Sequence, residues 1–336
     1  MNKFYKILFF NLLVLSTLIS ISSLSWITAW IGLEMNLLAI MPLMKSPKNK
    51  YSAEATIKYF MIQAMASALL LFSIILLSLM KTLNLNFIKI FPILLDSALL
   101  MKIGAAPFHF WLPEISGGMN WFMLFTILTW QKIAPMILLS YSIYSPMFIS
   151  IIIMISSLIS SIQGINQICL RKIMAYSSIN HSSWMISTIM ISMNIWLYYF
   201  IIYFIINLSI FYIFNKYKIF YFNQISKLFS FNKYLKFFFM LNFLSLGGLP
   251  PFLGFLPKWL TINFLVMKNF YTMSFFLIIF TLISLYFYLR ICFSTLTLNS
   301  SESLIKIVKK TKFFHFFMNF ISLNCLLMLF IFSNFL

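Results

Sequence analysis

The sequence predicts an all-α membrane protein of about eleven transmembrane helices, arranged as two inverted five-helix repeats with a broken helix in each. Three observations predict it. Of 336 residues, 62% are hydrophobic and 9% charged, against about 45–50% and about 25% in soluble domains. The basic residues fall in alternate connections between apolar runs. A motif of glycine and proline recurs in the two halves.

Apolar windows separated by polar or Pro/Gly breaks give the spans in order. They fall near 4–23, 25–44, 54–80, 87–113, 119–142, 146–165, 173–192, 194–214, 237–265, 271–295 and 313–335. The fourth and ninth are interrupted by proline and glycine. All of them belong to one membrane domain, residues 1–336, with a first half-repeat at about 1–142, a second at about 146–295, and a C-terminal helix at about 313–335. At about 20 residues per span plus a connection, the length accommodates roughly ten to twelve crossings. A cytosolic enzyme, a nucleic-acid module and a disordered tail are excluded.

Charge placement tests the count. With the N-terminus on side one, that side receives Lys3, Lys6, Lys45, Lys48, Lys50, Arg171, Lys172, Lys216, Lys218, Lys227, Lys233, Lys236, Lys306, Lys309, Lys310 and Lys312. Side two receives Lys81, Lys89 and Lys268. This asymmetry is the positive-inside pattern, so the N-terminus is expected on the matrix or cytoplasmic side and the C-terminus opposite. The N-terminal run, Lys3 and Lys6 followed by apolar residues, lacks a cleavage site and is expected to stay as a span.

Composition also bears on chemistry. Cys169, Cys292 and Cys325 are far apart, with no CxxC and no histidine at ligand spacing. No GxGxxG or P-loop occurs among the eight glycines. No metal and no cofactor is expected in this chain. The preference for Lys, Phe and Met, residues with AT-rich codons, suggests a small organellar or endosymbiont genome.

The repeat lies at a constant offset. Gly104, Pro107, Phe108, Leu112 and Pro113 fall over Gly248, Pro251, Phe252, Leu256 and Pro257, 144 residues later. The copies sit in the fourth and ninth windows, and an odd separation makes them cross in opposite directions. Inverted repeats with a discontinuous helix in each half are the pattern of a membrane transport path. The other reading is an ordinary proline kink at each site.

Glu34, Asp96, Lys102, Lys132 and Lys258 fall inside predicted spans. Each charge at a helix centre costs about 2.5–3.5 kcal/mol on insertion scales. Such a cost predicts that they pair with one another or face water within the bundle, although Lys258 is also placed to snorkel. A lysine desolvated by burial and a carboxylate nearby act in opposite senses on the ammonium, so a Glu34–Lys102 pair that opens and closes would switch the lysine between holding and releasing a proton. Asp96 is expected to pair with Lys89 or Lys102 and stays outside this scheme. His181, among Ser177, Ser178, Asn180, Ser182 and Ser183, points to a water chain or to a hydrogen-bonded contact between helices. His109 is similar, and His315 is expected at the interface.

Five segments in order, Trp30-Ile-Gly-Leu-Glu-Met-Asn-Leu-Leu38, Lys102-Ile-Gly-Ala-Ala-Pro-Phe-His-Phe-Trp-Leu-Pro113, Thr129-Trp-Gln-Lys-Ile-Ala-Pro135, Arg171-Lys-Ile-Met-Ala-Tyr-Ser-Ser-Ile-Asn-His181 and Leu246-Gly-Gly-Leu-Pro-Pro-Phe-Leu-Gly-Phe-Leu-Pro-Lys-Trp259, carry a resemblance. They resemble the antiporter-like membrane subunits of the proton-pumping NADH:ubiquinone oxidoreductase, respiratory complex I, in an insect-like, mitochondrially encoded type. The resemblance covers about residues 20–295.

It implies two inverted five-helix bundles with flanking helices and a place in the mitochondrial inner membrane. It implies that Glu34 modulates Lys102, that Lys132 joins two half-channels, that Lys258 serves the second broken helix, and that His181 belongs to a hydrated axis. Flavin (FMN), iron–sulfur clusters and ubiquinone would belong to other subunits. The partners would be neighbouring antiporter-like and other membrane-arm subunits, with membrane lipids around them. One departure matters: the repeat sets Lys258 opposite Glu114, not Lys102. A stand-alone cation/proton antiporter of the same fold and a purely structural spacer remain the alternatives; the first predicts a carboxylate-lined ion site, for which the spans offer only Glu34 and Asp96.

Overall fold

A computed structural model describes residues 4–46, 49–83, 90–143, 145–229, 233–250 and 252–296. The expected C-terminal helix at 313–335, His315, Cys325, Lys89 and Pro251 lie outside them. Among the described residues the structure is almost wholly helical. The helices are α1 (Phe4–Ile21), α2 (Trp26–Met44), α3 (Lys50–Leu83), α4 (Ile90–Ile103), α5 (Trp111–Gly118), α6 (Trp121–Leu128) and α7 (Trp130–Tyr141). There follow α8 (Pro146–Ile165), α9 (Leu170–Ile189), α10 (Met193–Tyr217), α11 (Phe222–Phe229), α12 (Lys233–Gly247), α13 (Phe255–Met267) and α14 (Tyr271–Leu296).

The longer helices fall on the first ten sequence windows, with α6–α7 and α12–α13 each lying along one window, whereas α5 (Trp111–Gly118) shares only residues 111–113 with the end of the fourth. Among the described residues seven segments are long and apolar enough to cross a membrane, α6 and α7 counting as one. Of the rest, α9 is too polar to qualify by hydropathy, yet its residues from Ile173 to Ile189 are buried throughout. A segment carrying so many hydroxyls is compatible with a bilayer only when protein surrounds it. The eight-residue α11 was not expected. It lies in the basic connection between α10 and α12.

The chain divides into two compact units, Met1–Ser156 and Ser157–Leu336. In the first, α1 packs on α2, α3 on α4, and α4 on α7. In the second, α12 packs on α14, and α10 on both α9 and α12. The apolar faces turned outward remain uncovered: Ile27, Ile31, Met35 and Leu38 form one such stripe on α2. That is the surface expected of a chain whose solvent is lipid or another apolar chain.

Both predicted helix breaks are present, and they share one backbone device. Gly104 has φ +79° and Gly248 φ +78°, the left-handed conformation that only glycine adopts without penalty. In each, the residue after the glycine donates five residues back: Ala105 N to Leu100 O at 3.1 Å, and Leu249 N to Leu244 O at 3.3 Å. These are helix-terminating bonds that satisfy carbonyls at a C-terminus. The two pairs coincide at the 144-residue offset.

A third break, between α6 and α7, was not anticipated. Thr129 distorts the helix at φ −117° and ψ −73° while staying in the right-handed region, three residues before Lys132. Six residues on, Pro135 supplies no N–H to the helix.

Candidate functional site

Lys102 stands in the last turn of α4, two residues before Gly104. Lys132 stands in the first turn of α7, after the Thr129 interruption. Their side chains are 8% and 2% exposed. Both line one cavity in the first unit, together with Asn36, Tyr59, Gln63, Trp111 and Gln131. Its volume open to water is about 20 Å³, enough for an ordered water bound by several polar groups. Two lysines that sequence reasoning chose for the cost of burying them therefore meet at one polar chamber.

The chamber is braced from both sides. Gln131 Nε2 donates to Asn36 Oδ1 at 2.8 Å, tying α7 to α2 next to Lys132 and two residues beyond Glu34. Trp111 Nε1 donates to Met101 O at 3.2 Å, meeting a carbonyl at the end of α4. Of these, Gln63, Tyr59 and Trp111 were not singled out from sequence. An amide or an aromatic inside a span gives no signal of the kind a buried charge does.

Glu34 is half-buried, at the border between the buried face of α2 and its outward stripe. It makes no ion pair with Lys102 among the described residues. Its Oε1 is buried without a hydrogen-bond partner among the described residues. Asp96 makes no ion pair with Lys102 either; it is fully buried and accepts from Ser142 Oγ at 2.6 Å.

In the second unit Lys258 is 7% exposed. Its Nζ donates to Gly247 O at 2.9 Å and to Leu246 O at 3.4 Å. It also lies 5.9 Å from the centre of the Trp184 ring. Lys258 does not snorkel outward. It turns back on the C-terminal carbonyls of α12, where the helix dipole favours a cation. Leu246 is the residue that the 144-residue offset sets over Lys102. The two halves thus supply an ammonium to the same step of the break from different helices.

His181 is buried, with Nδ1 2.9 Å from Tyr199 Oη and its ring against Tyr203. Asn180 Nδ2 donates to Ser284 Oγ at 2.8 Å. The hydroxyls of Ser177, Ser178, Ser182 and Ser183 donate to carbonyls three residues back in α9. Of the two sequence readings, hydrogen-bonded contacts between helices describe His181 and Asn180. His109 is buried in the α4–α5 connection, with Nδ1 3.3 Å from Pro107 O. Among the described residues no group of three or more His, Cys, Asp or Glu is placed to hold a metal ion.

Comparison with known proteins follows the same lines. Residues 23–284 match the family described as NADH:quinone oxidoreductase/Mrp antiporter, TM. The NADH-ubiquinone oxidoreductase chain 2 of Anopheles gambiae is 46% identical over 90% of this chain and 89% of its own length. That of Locusta migratoria is 41% identical over 90% and 88%, and that of Bos taurus 37% over 88% and 86%. A chain of respiratory complex I from Thermus thermophilus superposes with a TM-score of 0.79 at 22% identity, covering 88% of this chain and 71% of that one. A chain of the Mrp complex from Dietzia sp. DQ12-45-1b superposes with a TM-score of 0.73 at 16% identity, covering 83% and 58%.

Proposed function

Because the chain belongs to the NADH:quinone oxidoreductase/Mrp antiporter membrane family, we propose that it is the chain 2 membrane subunit of a proton-pumping NADH:ubiquinone oxidoreductase. It conducts protons through buried lysines while electron transfer proceeds in other subunits. The observation that carries this reading is the polar chamber shared by Lys102 and Lys132. Two ammonium groups confined in low dielectric repel each other strongly, so loading one favours release from the other. A carboxylate nearby opposes such repulsion, and Glu34 stands on α2 two residues before Asn36, which lines the same chamber.

Each residue then has a distinct part. Glu34 sets how firmly Lys102 holds its proton. Lys102 and Lys132 exchange it through the chamber, where Gln131 and Asn36 orient the intervening hydrogen bonds. In the second half, Lys258 holds a proton at the end of α12, and His181, held by Tyr199, stands beside the next polar step. FMN, iron–sulfur clusters and ubiquinone reside in other subunits, and energy reaches this chain as charge and movement.

The protein lies in the mitochondrial inner membrane, N-terminus in the matrix and C-terminus in the intermembrane space, with other membrane-arm subunits and lipids against its outward apolar stripes. Two measurements test the reading. The chain should purify within a large NADH-oxidising assembly. In that assembly, held in sealed vesicles, Lys102→Met should lower the protons moved per NADH oxidised. Isolation as a free antiporter, or an unchanged ratio, contradicts it.

A further inference from the structure

One ionisable residue of the first unit has no part in the scheme above. Asp96, the chain's single aspartate, lies in the middle of α4 and is 0% exposed. Its Oδ1 accepts from Ser142 Oγ at 2.6 Å. Ser142, itself fully buried, caps the C-terminus of α7. Oδ2 is buried with no hydrogen-bond partner among the described residues. Leu95, Leu99 and Leu100, its neighbours on α4, are fully buried as well.

Among the described residues no cation on the helices packed against α4 forms an ion pair with Asp96. On α3, Glu54, Lys58 and Tyr59 lie towards the start, and Lys81 towards the end, its side chain outside the described residues. On α7 stand Lys132 and Tyr141. None of Glu54, Lys58, Tyr59, Lys132 or Tyr141 hydrogen-bonds or ion-pairs with Asp96 among the described residues. A hydrogen bond to a charged group contributes about 1.5–3 kcal/mol. Leaving an isolated carboxylate ionised in an apolar interior costs far more, and such a group neutralises instead.

Position gives this acid a direction. Asp96 precedes Lys102 by six residues of α4, about 9 Å of helix rise. Ser142 follows Lys132 by ten residues, about 15 Å along α7. The middle of α4 meets the end of α7 through the Asp96–Ser142 bond, while Lys102 at the end of α4 shares the chamber with Lys132 at the start of α7. The two helices therefore run antiparallel, with the lysine chamber towards one end and the Asp96–Ser142 contact towards the other.

We propose that Asp96 is a further proton-binding residue of the first half: it holds a proton at Oδ2, anchored through Oδ1 by Ser142, and exchanges it between the lysine chamber and the membrane face at the other end of α4 and α7. The step is a transfer of H⁺ alone. Oδ2 gains a proton as a lysine gives one up, then releases it to water, with no change of oxidation state. The proposal rests on the proton-conducting reading of this chain.

The test uses the assembled complex in sealed vesicles. Asp96→Asn keeps an oxygen for Ser142 but cannot exchange a proton. It should lower the protons moved per NADH oxidised and remove a carboxylic-acid C=O band from the infrared difference spectrum; Asp96→Glu should restore both. An unchanged ratio in Asp96→Asn beside a lowered ratio in Lys132→Met overturns the role of Asp96 alone. Unchanged ratios in both overturn the conducting reading itself. If Asp96→Asn fails to assemble, Ser142→Ala leaves the carboxyl in place but removes its donor. That variant should shift the band and lower the ratio, and an unshifted band with an unchanged ratio overturns the proposal.

Discussion

Lys258 Nζ lies 2.9 Å from Gly247 O, so the lysine that follows the second break by sequence caps the helix that precedes it. The contact also explains the size of the next residue. A Cβ on Gly248 would stand 2.7 Å from Lys258 Cδ and 2.9 Å from Nζ. At Gly247 a Cβ would meet nothing nearer than 3.7 Å.

Neighbouring glycines should therefore respond in opposite ways. Gly248→Ala forces an L-residue into the left-handed region, costing roughly 1–2 kcal/mol, and displaces the Lys258 ammonium. It should lower both thermal stability and proton transport. Gly247→Ala, inside α12, should leave transport unchanged and be neutral or stabilising by up to about 1 kcal/mol. Thermal unfolding of the assembled complex separates the two.

Gln131→Leu removes the donor to Asn36 Oδ1 and leaves that buried atom unpaired. The expected cost is about 1–3 kcal/mol, accompanied by slower proton transport because the chamber loses a brace beside Lys132. Gln131→Glu offers only acceptors when ionised and should not rescue it. Transport rates measured alongside NADH oxidation in the same vesicles check this.

Glu114 occupies the repeat position of Lys258, yet it is exposed on the chain and pairs with Lys58 at 3.0 Å. Lys58 also meets Glu54 at 2.9 Å. Exposed pairs of this kind contribute little. Glu114→Gln should leave the ratio of protons to NADH unchanged, which would separate linear repeat position from function.

Tyr199→Phe deletes the hydroxyl beside His181 Nδ1 while keeping the ring in place. A buried hydrogen bond of this type contributes about 0.5–1.5 kcal/mol. The variant should lose about that much stability, and His181→Phe should lose more. A loss of transport in His181→Phe that exceeds the loss in Tyr199→Phe would mark His181 as a proton carrier in addition to a contact.

Much of this was legible in the sequence for physical reasons. Gly104 and Gly248 announced breaks because few residues accept their backbone conformation. Lys102 and Lys132 announced themselves because charge in an apolar run is costly. The Asn36–Gln131 bond was not legible, since nothing in the chain says which of many amides will meet. Thr129 resembles any helical threonine in a linear reading.

Two features of the second half did not follow from the linear sequence. The serines around His181 read equally as a water path or as a contact between helices; serine in a helix readily donates to its own carbonyls, and these four do. The repeat alignment assigned Lys258 to the level of Glu114. A long flexible side chain then carried its ammonium back to Leu246, a displacement that residue numbering does not record.

The central claim is that protons pass through the chamber shared by Lys102 and Lys132. Its most direct test is the number of protons translocated per NADH oxidised by assembled complex carrying Lys132→Met. A lowered number with the complex intact is the predicted result. An unchanged number, with assembly and NADH oxidation at wild-type levels, would contradict the account and leave the chain a structural spacer.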